Sequence, residues 1–288
     1  MSTVAPTAGR LVRFSSRGLH RRNWVVVVCI TVLVLAVVVA LVGSMIAPYD
    51  PNLLNLSNAY VGPTGGHLLG FDPAGRDLLS RLLAGARTTI LGPVAVVAIS
   101  VGVGTGVAVA AAWLGGWFDS GISAVVDVLF AFPGILLAVL AAAVFGPSLK
   151  SAVIALSIAY TPYVARILRG AALRERAQQY VAALEVQGLT GFAICLRHLV
   201  PNVFPLIVAQ ATILFGYAMV DLAAISFLGL GVQTPQPDWG VMVSEGETGV
   251  LQGYPAESLA AGLAIMVVVI AVNLLGERLV DNAQRSSH

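Results

Sequence analysis

Long uncharged apolar runs recur along the chain and predict a set of helices that cross a membrane. About 20 apolar residues suffice to span about 30 Å of hydrocarbon, and the first run, 24–47, meets that length. The third run contains Asp127 and the fifth contains Asp221. The fourth run is short and spans only if Lys150 and Arg166 at its ends reach the interfaces. The six runs are 24–47, 88–114, 120–145, 151–165, 203–228 and 258–276.

The basic residues indicate how six spans are oriented. Six spans put both chain ends on the same side of the membrane, and cytoplasmic segments carry an excess of Lys and Arg. With both ends in the cytoplasm, 12 of the 16 basic residues lie inside and 4 lie outside. The predicted parts are a cytoplasmic basic N-terminus 1–23, a first transmembrane helix 24–47, an extracytoplasmic loop with an amphipathic segment 48–87, a five-helix core 88–280 that includes a cytoplasmic loop 171–202, and a cytoplasmic tail 281–288.

The composition agrees with an all-α integral membrane protein. The chain is 58% hydrophobic and 10% charged, whereas soluble domains carry about 25% charged residues, so too little polar surface is present for a soluble enzyme. A net charge of +2 argues against a nucleic-acid partner. The single lysine, Lys150, does not follow a glycine, so the chain lacks the Gly-Lys pair of an ATP-binding phosphate loop. Gly102 and Gly106 form a Gly-x-x-x-Gly pair, which either marks a helix contact or reflects the abundance of small residues.

The titratable residues show no pattern typical of catalysis. Cys29 and Cys195 lie in different contexts and the four histidines are scattered, so neither a disulfide nor a metal site is predicted. Asp127 and Asp221 are candidates for lining a translocation path, because a carboxylate within a membrane usually faces a cavity or a partner. Two such acids leave a proton-coupled secondary carrier open as an alternative, and a non-transporting scaffold as another.

The longest cytoplasmic connection, 166–202, is large enough to fold. Its first part, 171–187, favours a helix that Gly188 interrupts. A second short helix follows, and Pro201 and Pro205 are expected to end it and to begin the next span. Its apolar side chains at i, i+3, i+7 and i+10 form one predicted stripe, which either packs on the bundle or docks into a groove on a partner. The four residues are Leu189, Phe192, Leu196 and Leu199.

Residues 180–183, Gly188 and 198–202 resemble the cytoplasmic "EAA" loop of permeases in binding-protein-dependent ABC importers. The spacing from Gly188 to Pro201 matches that pattern. The departures are Ala182 for Glu, Leu184 for the second Ala, His198 at the apolar position and Val200 for Leu. The resemblance implies that the loop helix sits in a cleft of a cytosolic ATPase. The residues that it assigns to this coupling are Ala182, Ala183, Glu185, Gly188, Leu189, Phe192, Leu196, Arg197 and Pro201.

Other segments are similar to the C-type permeases of dipeptide and oligopeptide importers. They are Leu-Gly-Phe-Asp-Pro-Ala-Gly-Arg-Asp-Leu-Leu-Ser-Arg at 69–81, Ser-Phe-Leu-Gly-Leu-Gly-Val-Gln at 226–233, Pro-Asp-Trp-Gly at 237–240 and Asn-Leu-Leu-Gly at 273–276. They lie in the expected order between the spans, and the resemblance covers nearly the whole chain. It implies a type I ABC importer permease fold with a cytoplasmic coupling helix.

That resemblance also implies partners and a task. The chain would be a multi-pass subunit of the cell membrane, without catalytic activity and without a cofactor of its own. It would pair with a second permease and with one fused or two separate ATPases that hold ATP and Mg²⁺. An extracytoplasmic binding protein would deliver di- or oligopeptides, with nickel chelates or another small solute as the alternative cargo. The candidate residues for docking of that protein are Asp238, Trp239, Glu245 and Glu247.

Overall fold

A computed structural model describes residues 17–285, with side chains described for 24–280. The predictions for 1–16 and 286–288, and those for the side chains of 17–23 and 281–285, lie outside the described residues. The regular elements of the described part are helices. In chain order they are α1 Arg17–Ile46, α2 Leu78–Leu114, α3 Gly116–Phe130, α4 Gly134–Phe145, α5 Leu149–Arg176, α6 Gln179–Val186, α7 Gly191–Ile194, α8 Val200–Phe227, α9 Trp239–Glu245, α10 Glu247–Leu251 and α11 Ala256–Arg285.

Five of these helical segments are long and apolar enough to cross a membrane, and a bent pair of helices makes a sixth if the two form one broken span. The pair consists of α3 and α4, whose axes are bent by 80°. The bend lies at Ala131–Pro133, where Pro133 precedes the first residue of α4. Proline lacks the N–H that would continue the hydrogen-bond ladder. Five of the six predicted spans are therefore confirmed as continuous helical segments, and the third corresponds to two helices that meet at Pro133.

Helix α2 begins ten residues before the run that predicts it. Asp77 caps its first turn by accepting a hydrogen bond from Ser80 N at 2.8 Å. The sequence places 48–87 in a loop that ends in an amphipathic segment on the membrane surface, but Leu78 and Arg81 are fully buried in the first turns of α2. The amphipathic-segment prediction is wrong, because the charges in these turns have partners elsewhere in the fold.

Small residues set the packing of α2 against α5. A Cβ added at Gly104 would lie 2.8 Å from Cβ of Val164, so the two helix backbones approach closely there. Gly102 and Gly106 have no described atom within 4 Å of such a Cβ. The Gly-x-x-x-Gly pair thus makes no helix contact within the described chain, and the glycine between its two members does.

The two ends of α2 contact the two parts of the chain that carry the candidate residues. Near its first residues, Trp239 Nε1 donates a hydrogen bond to Leu82 O at 2.8 Å. Near its last residues, Arg176 Nη1 donates to Ala112 O at 2.5 Å. We call the first end, with segments 47–77 and 228–255, the cap end, and the second, with α6 and α7, the loop end. About 45 Å of helix separates Leu82 from Ala112.

Candidate coupling loop and cap-end cluster

The coupling loop consists of two short helices between two spans. Helix α5 continues to Arg176, the helix is interrupted at Ala177–Gln178, and α6 follows. Gly188 lies in the turn after α6 with a φ of +81°, a backbone conformation that only glycine adopts without strain. The predicted single helix over 171–187 is therefore the end of α5 and the whole of α6.

Proline does not end the second helix of the loop. A π-helical turn over Cys195–Leu199 joins α7 directly to α8, and Val200 N donates to Cys195 O. Pro201 lies in the first turn of α8, so the expectation that Pro201 and Pro205 separate the loop helix from the fifth span is wrong. Proline is tolerated in the first turn of a helix because its missing N–H has no partner to lose there.

Three side chains join the two ends of the loop. Tyr180 OH, at the start of α6, donates to Glu175 Oε1 at 2.7 Å. Asn202 Nδ2, at the start of α8, donates to the same oxygen at 2.8 Å. Burial, followed by the hydrogen bond to Glu175, raises the pKa of Tyr180 to about 12. The Tyr180 hydroxyl therefore keeps its proton at neutral pH and the network stays intact.

A second contact fastens the loop to the end of α2. The Arg176 guanidinium lies 4.9 Å from the centroid of the Trp113 ring and donates to the main-chain oxygens of Ala112 and Trp113. Gly191 lies against the same ring, since a Cβ there would be 2.3 Å from Trp113 Nε1. The first turn of α7 is thereby held at a fixed position on α2.

The apolar residues of the loop divide between two faces. Phe192 and Leu196 are 78% and 58% exposed, whereas Leu199 is fully buried, so the predicted four-residue stripe is wrong at Leu199. Leu196 and Leu199 both lie within the π-helical turn, whose wider winding turns Leu199 to a different face from the one that α-helical spacing predicts. Val186, which the sequence pattern did not single out, is a further exposed apolar side chain of the loop, at 90% exposure. The other predicted coupling residues that are exposed are Ala182, Ala183, Glu185, Gly188, Arg197 and Pro201, while Leu189 is half-buried.

At the cap end, two of the four predicted docking residues are internal. Asp238 is buried, caps α9 by accepting from Gly240 N at 3.0 Å, and accepts from Thr89 Oγ1 at 2.8 Å. Burial raises the pKa of its carboxyl, although these hydrogen bonds oppose the shift. Trp239 is also buried, with its indole N–H bonded to Leu82 O. Both residues hold α9 against α2, so neither offers a docking surface in this conformation.

Glu245 belongs to a buried ion-pair network, and Glu247 is the one exposed member of the predicted docking set. Glu245 Oε2 accepts from Arg76 Nη2 at 2.9 Å and from Arg81 Nη2 at 2.6 Å. Arg76 also donates to Asp72. Burial lowers the pKa of Arg76, but the two carboxylates raise it more, so the net shift is upward. Sequence reasoning missed this network because its partners lie 164 and 169 residues apart.

Comparison with known proteins agrees with this architecture. Residues 102–286 match the family described as the binding-protein-dependent transport system inner membrane component. Residues 21–63 match the N-terminal transmembrane domain of oligopeptide transport permease C. The first match covers more than half of the chain. The chain belongs to this family of ABC importer permeases.

Two relatives show how far the similarity extends. The dipeptide transport system permease protein DppC of Alkalihalophilus pseudofirmus is 34% identical over 261 residues, which cover 91% of this chain and 86% of that protein. The glutathione transport system permease protein GsiD of Escherichia coli is 38% identical over 262 residues, with the same two coverages. The permease is therefore a multi-pass protein of the cell membrane and a transport subunit rather than an enzyme. Membership of this family implies an ATPase and a substrate-binding protein as partners.

Both intramembrane path candidates of the permease have partners on α5. Asp127 of α3 forms an ion pair with Arg166, and both side chains are more than half exposed. The sequence places Arg166 at the end of the fourth run, but α5 continues ten residues further, so Arg166 lies along the helix and beside Asp127 of α3. A cavity of about 250 Å³ between α2, α3 and α5 adjoins this pair. Asp221 of α8 accepts a hydrogen bond from Tyr160 OH at 2.6 Å.

Proposed function

We propose that this permease forms half of the translocation path of an ATP-driven importer of di- and oligopeptides. Both chain ends and the loop end face the cytoplasm, and the cap end receives peptide from an extracytoplasmic binding protein. A second permease completes the path. ATP and Mg²⁺ reside in one fused or two separate ATPases, and this chain holds no cofactor for the transport cycle.

The observation that carries the coupling role is an exposed apolar surface on a firmly held loop. Val186, Phe192 and Leu196 are the exposed large apolar side chains of this loop, and Gln187 and Arg197, their neighbours in the sequence, are exposed polar residues. Polar neighbours place it in water rather than in lipid, and an apolar surface in water that is rimmed by polar residues is typical of a protein-binding site. An ATPase cleft is the proposed binding partner of these three side chains.

The anchoring of the loop supports its role in transmitting motion. The loop is joined to α5 and α8 through Glu175, Tyr180 and Asn202, and to α2 through Arg176 and Trp113. A movement of the ATPases that displaces α7 therefore displaces three spans together. ATP binding and hydrolysis would supply the free-energy difference between two arrangements of these spans.

The peptide cargo rests on the relatives and on the charges within the spans. The relatives are named for dipeptide and glutathione transport, and both cargoes carry amino and carboxylate groups. The exposed Asp127–Arg166 pair offers one charge of each sign, and a charged pair that is exposed within a membrane span faces a water-filled cavity or a partner. We place this pair in the path, together with Asp221.

Reconstitution tests the coupling role. In vesicles that contain both permeases, the ATPases and the binding protein, Phe192→Asp is expected to abolish peptide-stimulated ATP hydrolysis and uptake. Phe192→Leu, the matched control, keeps an apolar side chain and is expected to retain both activities. Unimpaired ATP-driven uptake by Phe192→Asp would contradict the assignment of this surface to the ATPase.

The same vesicles test the cargo and the alternative mechanism. Unlabelled dipeptides are expected to compete with labelled peptide for uptake, and nickel chelates are expected not to compete. Competition by nickel chelates alone would contradict the peptide assignment. Accumulation driven by a proton gradient without ATPases would favour a secondary carrier.

A further inference from the structure

Three carboxylates from distant parts of the chain meet at the cap end. Asp72 precedes α2, Glu245 ends α9 and Glu257 lies in the first turn of α11. One oxygen of each lies within 4.8 Å of the other two. The sequence predicted no metal site, since its histidines and cysteines are scattered and nothing in the local pattern connects these three acids.

Glu257 is the member of this cluster without a counter-charge of its own. Its side chain is only 3% exposed, and neither carboxylate oxygen has a hydrogen-bond partner among the described residues. Arg76 and Arg81 bond to the other two acids. If all three carboxylates are ionised, two guanidinium groups leave one negative charge uncompensated. A buried ionised carboxylate without a partner is costly, so Glu257 either carries a proton itself, in line with the burial that raises its pKa to about 8, or lies beside a cation.

The space beside Glu257 can hold a small ligand. A cavity of about 190 Å³ is lined by Asp72, Glu257 and several glycines, with Tyr60 and Tyr254 on its wall. The two tyrosine rings are stacked with centroids 4.9 Å apart. The volume exceeds that of one bare ion and leaves room for water molecules that complete a coordination shell.

We propose that Asp72, Glu245 and Glu257 bind a hard divalent cation of the Ca²⁺ type at the cap end. Calcium takes oxygen ligands at about 2.3–2.6 Å, so two oxygens bound to one ion are at most about 5 Å apart, and the three carboxylate oxygens, each within 4.8 Å of the other two, meet that limit. Calcium also accepts irregular arrangements of six to eight ligands, whereas Mg²⁺ requires a near-ideal octahedron. The guanidinium groups of Arg76 and Arg81 fix two of the three carboxylates in place.

The ion would connect three otherwise separate elements. Asp72 belongs to the segment before α2, Glu245 to α9 and Glu257 to α11. With two arginines nearby, the affinity falls in the weak range of extracellular calcium modules, with a Kd of about 10⁻⁴–10⁻³ M. The cation thus stabilises the cap end without taking part in transport chemistry.

Calcium titration of the full chain in lipid nanodiscs tests the site. Isothermal titration with CaCl₂ is expected to show one bound ion, and millimolar Ca²⁺ is expected to raise the Tm. Glu257→Gln keeps the size of the side chain and is expected to weaken binding about tenfold or more, since affinity depends on ligand charge. Glu247→Gln, an exposed glutamate outside the cluster, is the matched control and is expected to bind Ca²⁺ like the unmodified chain.

Two results would overturn the site. One is the absence of saturable binding by the unmodified chain up to about 10 mM Ca²⁺, beyond the weak range of calcium modules; Glu257 would then carry a proton. The other is equal binding by Glu257→Gln and the unmodified chain. If Glu257→Gln does not fold, Glu257→Asp, which keeps the charge but shortens the side chain, is expected to bind more weakly, and unchanged binding would overturn the site. None of these measurements involves ATPases or peptide, so the result is independent of the proposed transport function.

Discussion

Replacement of Gly191 by alanine is expected to loosen the coupling loop from the end of α2. The new Cβ would lie 2.3 Å from Trp113 Nε1 and 2.5 Å from Cε2. Since non-bonded heavy atoms are most stable at about 3.5–4.0 Å, either α7 or the ring must move by roughly 1 Å. The ring is not free to move, because Arg176 lies over it and binds its main-chain oxygen.

The expected cost follows from two opposing effects. Overpacking of this kind destabilises a protein by about 1–3 kcal/mol. Alanine is favoured over glycine by up to about 1 kcal/mol within a helix, but Gly191 is the first residue of the four-residue α7, so only part of that gain applies. The free energy of unfolding is therefore expected to fall by about 1–2 kcal/mol, and ATP-driven uptake is expected to fall with it.

Denaturation by SDS in mixed micelles measures the stability change. Gly170→Ala is the matched control, since no described atom lies within 4 Å of a Cβ there, and it is expected to leave the stability unchanged or to increase it. Trp113→Ala removes the obstructing ring, so Gly191→Ala in that background is expected to cost nothing. The resulting coupling energy is about 1–2 kcal/mol, within the range for residues in contact. An equal cost in both backgrounds would refute the proposed contact.

Two further substitutions test the packing of α2. Gly104→Ala places a Cβ 2.8 Å from Cβ of Val164, and it is expected to lower the free energy of unfolding by about 1–3 kcal/mol in the same denaturation assay. Gly106→Ala is the control, since its Cβ meets no described atom within 4 Å. Equal effects at the two glycines would contradict the contact. Trp239→Phe removes the 2.8 Å hydrogen bond to Leu82 O and is expected to lower the free energy of unfolding by about 0.5–1.5 kcal/mol. An unchanged stability would show that this bond contributes nothing.

The spans could be predicted from sequence because membrane insertion depends on local composition. An apolar run of sufficient length must become a helix in lipid, since no water is present to bond with the backbone, and Pro133 marks the break of the third span locally. The beginning of α2 could not be predicted in this way. Arg81 is charged and looks like a surface residue in sequence, and its burial depends on Glu245, which lies 164 residues away.

The candidate sites show the same division between local and distant information. The turn at Gly188 follows from the residue itself, because its backbone conformation favours glycine. The outward face of the segment from α7 to Leu199 does not follow from residue spacing, since Leu196 and Leu199 lie in a π-helical turn and no sequence rule places such a turn. Asp238 and Trp239 belong to a recognisable sequence motif, but the motif does not predict that both side chains are buried against α2.

In the proposed transport cycle, helix α2 would connect the loop at one end of the permease with the other end. Its last turn is bound by Arg176 and abuts Gly191, while its first turns carry Arg81 and receive the indole N–H of Trp239. A helix of this length moves nearly as a rigid rod unless a proline or an inserted side chain bends it, and Pro93 is the one proline within α2. A displacement of the loop would therefore reach the cap end either undiminished or through a hinge at Pro93. A Pro93→Ala variant that transports peptide as well as the unmodified chain would favour the rigid rod, and one that loses transport while it still stimulates ATP hydrolysis would favour the hinge.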